Sequence, residues 1–475
     1  MAKTLAVGLL PVLAWTALAL TAESPAHAAP VPPSPSISKT ADARAHRAPA
    51  EPPEPEPRKL PDYDGRPEPA PAGEAWLWVP RVVLFPLWVV SEYVVRKPLG
   101  WGISAAERAN LHNLLLDFFT FGPGRQGGLV PTALFDFGVR PSVGVYFFWD
   151  DAGFSGHDLR LYAATGGTDW LKASVAQRIA LGARTQLEHR ASALTRPDYL
   201  YSGSGWDSRA GDRGRYSMTR YDAAAALSRQ LSAFGWFSGF VGVRRATFES
   251  NGCCDDPSIG RRVAEGAYEQ PPGFDRGYTI FRQGLSAEFD TRAPRPDSGS
   301  GFRAVVRGEH AGRLAGDGAR GFVRYSGAGS AFWDVTGHNR VLSLGLLAAF
   351  ADPLGNDAGE VPFTEQIRLG GEEPLRGFLE GRLVDRSALV ARLGYDWPIW
   401  AFLDGSLHVE AGNVYAARLD DFALDRSRLS FGLGLRSAGR RDHPFELLIG
   451  TATTPIEDGA HLDSFRFVIG ATNGF

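Results

Sequence analysis

The side chains that could do chemistry in this chain are scattered rather than gathered into a catalytic set. Its ten histidines share no motif with a serine, a cysteine or paired carboxylates, the partners that a nucleophile and its base require. His157, His189, His310 and His338 fall in alternating segments or turns, where local polarity accounts for them. The two cysteines, Cys253 and Cys254, are adjacent and precede Asp255 and Asp256. Two thiols in series cannot supply a four-ligand metal site. A disulfide between them, pairing with another chain and free thiols all stay open. Gly432 and Gly434 form no phosphate loop, because no helix follows them. What remains are arginines and carboxylates in short patterns: Asp290-Thr291-Arg292, Leu375-Arg376-Gly377-Phe378 and His408-Val409-Glu410-Ala411-Gly412. Only five of the 50 basic residues are lysine, and the arginine fork holds carboxylates in fixed geometry. No enzyme activity, cofactor or metal is therefore expected.

The elements that must position these groups follow from composition and periodicity. The chain has 475 residues, 44% hydrophobic and 22% charged, with 56 glycines and a net charge of -3. That balance gives no basic footprint for nucleic acid, which drops out as a partner. Lys3, an apolar run from Leu5 to Leu20 and the small triplet ending at Ala28 read as a cleavable signal peptide over residues 1–28. Residues 29–75 follow as a linker: thirteen prolines lie between Pro30 and Pro71, and so few large apolar residues cannot offset the entropy of ordering. From Trp76 the composition turns aromatic and apolar, interrupted by Pro80, Arg81 and Pro86. Residues 76–128 are expected to form a helical interfacial or plug segment rather than a span. The spacing Ser104-Ala-Ala-Glu107 predicts a capped helix start there.

After Leu129 the period changes to two. Phe465, Phe467, Ile469, Ala471 and Phe475 share one parity, opposed by Ser464, Arg466, Gly470, Thr472 and Gly474. The same alternation gives sixteen segments, the first at 129–137, the eighth at 277–290, the twelfth at 384–398, the thirteenth at 403–415 and the last at 463–475. One face is apolar and rich in aromatics, and the other carries arginine, glutamate, glycine and serine. Short connections near Gly235, Gly337 and Trp400 alternate with long polar ones at 194–215, 251–276 and 353–382. The fold class expected is all-β and transmembrane: a sixteen-stranded antiparallel outer-membrane barrel over 129–475, preceded by a short helical segment. An even count lets the last strand close on the first, so that no edge is left unpaired in lipid.

Within that frame the long connection before the twelfth strand, Leu369-Gly370-Gly371-Glu372-Glu373-Pro374-Leu375-Arg376-Gly377-Phe378, resembles the inward-folded sixth loop of the BamA/TamA surface-antigen family. Leu375 stands where that family has valine. Asp290 and Arg292 match its turn between strands eight and nine. Tyr201-Ser202-Gly203-Ser204-Gly205-Trp206-Asp207-Ser208 is similar to a further family segment, and Phe465, Phe467 and terminal Phe475 to its β-signal. The resemblance covers about residues 200 to 475, and it implies that Arg376 reaches a lumenal carboxylate on strand thirteen. The matching stretch offers Glu410, with Gly412 beyond it, and the outward parity of Leu407, Val409 and Ala411 points Glu410 inward. An Arg376–Glu410 lock is expected. The family's periplasmic POTRA domains have no counterpart in the sequence. The function implied is protein insertion or translocation at a seam between the first and last strands of a bacterial outer-membrane barrel. The partners implied are outer-membrane lipids and unfolded outer-membrane or secreted protein clients. A passive pore or structural barrel is the alternative, and an outer-membrane hydrolase the more distant one.

Overall fold

The computed structural model describes residues 82, 85–86, 89–108, 114, 117–292, 299–355, 360–372, 374–400, 403–437 and 445–471. The expected signal peptide, the linker, the terminal Phe475 and most of the stretch from Trp76 to Trp88 lie outside them. Sixteen antiparallel strands form one closed sheet. They are β1 (Gly127–Asp136), β2 (Ser142–Trp149), β3 (His157–Gly167), β4 (Trp170–Gly182), β5 (Thr185–Tyr201), β6 (Gly214–Gln230), β7 (Gly235–Glu249) and β8 (Tyr278–Asp290), followed by β9 (Gly301–Gly316), β10 (Gly321–Asp334), β11 (Val341–Pro353), β12 (Ser387–Trp400), β13 (Leu403–Tyr415), β14 (Arg428–Ser437), β15 (Phe445–Thr453) and β16 (Leu462–Ala471). Each strand pairs with its sequence neighbour, and β16 returns to β1.

Alternation decides the two faces. Along β11, Leu342, Leu344 and Leu346 point outward and are 38%, 53% and 56% exposed. A row of bare leucines of this kind suits lipid rather than water. The opposite parity carries the charges, and ion pairs cross neighbouring strands on the inside, such as Arg244–Asp222 and Arg303–Glu288. At one rim the connections are short, as at 183–184 and 231–234; at the other they run long, as at 202–213, 250–277 and 354–386. Counted along that rim, these long ones are loops three, four and six.

Two expectations change. The connection expected at 194–215 is only 202–213, because β5 and β6 continue past the barrel wall, with a bulge between Arg196 and Tyr199. Their tips bury Tyr199, Tyr201 and Tyr216 against Ile259 and Phe274 of loop four and Phe363 of loop six. Helix α1 runs Lys97–Arg108 and continues directly from a π-helical turn, Val90–Arg96. Ser104 therefore lies inside the helix instead of capping it, and its carbonyl accepts a hydrogen bond from Arg108 Nε at 3.2 Å. An uninterrupted helical backbone leaves no free amides at Ser104 for a cap to satisfy. No helix among the described residues is long and apolar enough to cross a membrane. Val94 and Trp101 are 67% and 74% exposed.

Candidate functional site

Loop six leaves β11, folds back into the barrel and returns to β12. Its two arms pair as a small hairpin, Ile367–Leu369 with Leu383–Asp385. Between the arms a tight turn is built by left-handed residues, Gly370, Gly371 and Leu375. At Leu375 (φ 64°) such a conformation costs about 1–3 kcal/mol and persists only where the surroundings impose it. They do so here. The side chains of Leu375 and Phe378 are fully buried in a cluster with Leu369, Leu383 and wall residues such as Val390 and Ala452, and Phe378 N–H donates to the Leu375 carbonyl at 3.0 Å.

The turn's polar groups are met by the barrel wall. Arg376 N–H donates to Glu410 Oε2 at 2.9 Å, and Gly377 N–H donates to Ser430 Oγ at 2.9 Å. The Arg376 guanidinium makes a two-pronged contact with Glu446 on β15, at 2.7 and 2.6 Å. This corrects the expected lock. Arg376 and Glu410 do meet, but through the arginine's backbone, while the side chain runs on to Glu446. The reason lies in the neighbours of Glu410: it is fully buried, sits opposite Arg392 of β12 in register and Ser430 of β14, and has Arg392 Nη1 at 3.8 Å. Its Oε2 is thereby committed to the loop backbone, with Ser430 Oγ at 3.5 Å, while Oε1 faces Arg392 without a hydrogen bond. Gly412 lies on the same inward face, where a Cβ would come within 2.2 Å of the Leu389 carbonyl. Sequence reasoning missed Glu446, although it shares the inward parity of Leu448, Gly450 and Ala452 on β15. A carboxylate on that otherwise apolar row was the available signal.

Gly377 is required by close approach rather than by its dihedral angle. A Cβ there would lie 2.2 Å from the Thr451 carbonyl oxygen, and the facing Gly450 has the Gly377 Cα within 3.1 Å of where its own Cβ would sit. The loop backbone thus rests directly on β15.

Loop six has two further anchors. Glu365, 1% exposed, accepts from Arg244 Nη1 at 2.9 and 3.0 Å and from the Tyr278 hydroxyl at 2.7 Å, with Arg324 at 3.4 Å. Arg382 donates to the hydroxyl and the carbonyl of Ser208 in loop three, both at 2.9 Å, and to Asp463 of β16 at 3.0 Å. Arg428 reaches the same Asp463 and the carbonyls of Trp206 and Ser208. The segment Tyr201 to Ser208 is thereby brought against loop six and β14. Asp290 and Arg292 form their own clasp at the β8–β9 turn, bidentate through Nε at 3.0 Å and Nη2 at 2.7 Å, with the guanidinium over the Phe332 ring. The structure does not bring them to loop six. Cys253 and Cys254 are joined as a disulfide in loop four, beside Asp256, which pairs with Arg213 and Arg215.

The Glu365 anchor carries a pH dependence. Burial pushes its carboxyl up, but Arg244 and Arg324 overcome this and bring it down from 4.5 to about 2. A carboxylate depressed on folding contributes stability that is complete above its unfolded pKa and is lost as pH falls through the folded one. A nitroxide label at Glu360 should therefore keep one mobility from neutral pH to about pH 5 and loosen as pH approaches about 2. In Glu365→Gln the label should already be looser at neutral pH; equal mobility there would remove the anchor.

Phe465 and Phe467 lie on the outward face of β16, where it meets β1. The described residues of these two strands share three register pairs, Val468 with Asp136, Ile469 with Phe135 and Gly470 with Leu134. β15 and β16 share nine.

Residues 170–473 match the Omp85 superfamily domain. Among solved structures, the fold is similar to that of BamA from Haemophilus ducreyi lacking POTRA domains 1-3, with a TM-score of 0.52, 16% identity and coverage of 73% of this chain and 70% of that one. CdiB from Acinetobacter baumannii aligns with a TM-score of 0.47 and 10% identity, covering 74% of this chain and 60% of that one. CdiB from Escherichia coli aligns with a TM-score of 0.47 and 13% identity, covering 74% of this chain and 64% of that one. This chain thus spans less than two thirds of either CdiB chain. No curated protein sequence matches it.

Proposed function

Because this chain belongs to the Omp85 superfamily and folds as a bacterial outer-membrane barrel, we propose that it inserts or translocates protein at the junction of β1 and β16, with loop six as the element that holds the junction in its resting state. The observation that carries this reading is the shortness of that junction, three register pairs among the described residues. Among the described residues every other neighbouring pair of the sixteen strands shares a longer ladder, and it is at this junction that the wall is proposed to part. A parted junction offers unpaired backbone groups to an incoming strand, and main-chain hydrogen bonding by strand addition is tolerant of client sequence. The clients proposed are unfolded outer-membrane or secreted proteins. Outer-membrane lipids are the second partner, held against Phe135, Phe137, Phe465 and Ile469, all exposed on the outer face of the two strands. The helical segment around Val94 and Trp101 is proposed to lie in the membrane interface. The activity proposed is a change of strand partners, without covalent turnover.

The alternative, a passive pore, needs an open lumen, and the docking of loop six on the inner wall through its three anchors supports the closed reading instead. Photo-crosslinkers at Leu129 and Phe467, in cells, are expected to trap unfolded client protein, while the same probe at Leu344 on the far wall traps none. Planar bilayers are expected to show little steady conductance. A large, stable open conductance together with no junction-specific crosslink would favour the pore.

A further inference from the structure

Among the described residues the β1–β16 junction has three register pairs and a concentrated set of side-chain contacts. Arg466 points inward from β16 and is 3% exposed. Its Nε and Nη2 donate to the two carboxylate oxygens of Asp136 on β1, at 3.0 and 2.7 Å, directly across the junction. Its remaining Nη1 donates to the Gly371 carbonyl at 2.5 Å and lies 3.3 Å from the Arg376 carbonyl, both in loop six. One guanidinium therefore holds β1 with two nitrogens and loop six with the third. Loop six grips β16 a second time, through Arg382 and Asp463. The outer face adds two aromatic contacts, Phe135 with Phe467 and Phe137 with Phe465, each at 6.1 Å between ring centroids.

The edge of β1 has a further peculiarity. Phe137 N–H donates to the Phe467 carbonyl at 2.9 Å, and Asp150 N–H on the other side donates to the Gln126 carbonyl at 2.7 Å. Antiparallel ladders alternate, so the odd-numbered residues of β1 turn their backbone groups towards β16 and the even-numbered ones towards β2. Pro131 is odd. Its missing N–H faces the junction, so the edge of β1 has no donor to offer there whatever strand lies opposite.

We propose that Asp136 and Arg466 form the latch of the junction, that loop six keeps the latch engaged through Arg466 Nη1, and that Pro131 limits how far the backbone ladder can take over its work. Withdrawal of loop six would leave Arg466 with Asp136 as its only partner from this set and free to rotate. The side-chain clamp across the junction would then loosen. The inference builds on the reading of this junction as the client route, but the latch itself is read without any client.

Hydrogen exchange of the full-length protein in lipid nanodiscs tests it. Asp136→Asn is expected to speed amide exchange in 127–136 and 462–471 by about tenfold or more, the least that losing a hydrogen bond between charged groups should give, with the far wall unchanged. Arg466→Lys keeps the charge but loses the fork, and should give a smaller rise in the same two strands; it also serves if Asp136→Asn does not fold. Pro131→Val, which supplies the missing donor on a lipid-facing position, should slow exchange in both strands. Unaltered exchange in both latch variants overturns the latch, and unaltered exchange in Pro131→Val overturns the role of the proline. Faster exchange without any increase in client crosslinking at Leu129 would support the latch while counting against the client route.

Discussion

Alanine at position 377 is expected to drive loop six out of the barrel. The added methyl would lie 2.2 Å from the Thr451 carbonyl oxygen and 2.4 Å from its carbon, a separation that no rotamer change relieves because both sides are backbone. β15 cannot retreat, since it is zipped to β14 on one side and to β16 on the other. The loop must move instead, and in moving it gives up the hydrogen bonds of Arg376 and Gly377 to Glu410 and Ser430 and the burial of Leu375 and Phe378. Overpacking of a tight site costs about 1–3 kcal/mol, and the forfeited contacts place this substitution at the upper end. A loss of about 3 kcal/mol shifts the ratio of docked to undocked loop roughly a hundredfold. Protease accessibility of residues 360–385 on intact cells should rise accordingly, and the yield of folded barrel, read by heat-modifiable gel mobility, should fall. A Gly377→Ala barrel with a fully protected loop would show that the loop does not rest on β15.

The second large effect concerns the partner of Arg376. Removing one member of a buried, bidentate ion pair leaves the other without compensation. Glu446 and Arg376 retain 13% and 17% side-chain exposure, so Arg376→Ala is expected to cost about 2–4 kcal/mol of loop docking after allowance for screening. Glu446→Gln should be similarly severe, and the double variant should be little worse than either single one, the signature of two residues acting as a pair. Glu410→Gln is expected to be mild, because an amide oxygen still accepts the Arg376 N–H. The reverse order, with Glu410→Gln severe and Glu446→Gln mild, would restore the pairing that the sequence suggested.

That exchange of partners shows where the sequence ran out. The strands were legible because alternation is a local property: β7 at 235–249 and β13 at 403–415 lie where the apolar parity begins and ends. Their inward faces were legible too, which is why Glu410 was sought in the lumen and is found there. The Leu375-Arg376-Gly377-Phe378 motif could be recognised as a loop folded inward because its residue types match a known pattern. The reach of the arginine could not be read in the same way. Glu446 is 70 residues away, and which inward carboxylate a seven-atom side chain meets depends on the height at which the loop docks. Gly377 and Gly450 set that height by letting two backbones touch.

The junction shows the same division. Asp136 stands on the inward parity of β1 and Arg466 on that of β16, and both facts follow from counting residues. Their meeting follows only from closure, which brings together strands separated by 330 positions. Apart from the tips of β5 and β6, the sequence by itself determined which stretches form strands, which face lipid and which face the lumen, because a period of two needs no information beyond the strand. Only the tertiary structure decided which charges became partners, since a closed sheet sets register, stagger and loop depth together. A lumenal lock for Arg376 was therefore suggested by the resemblance and by parity, and its wiring was not.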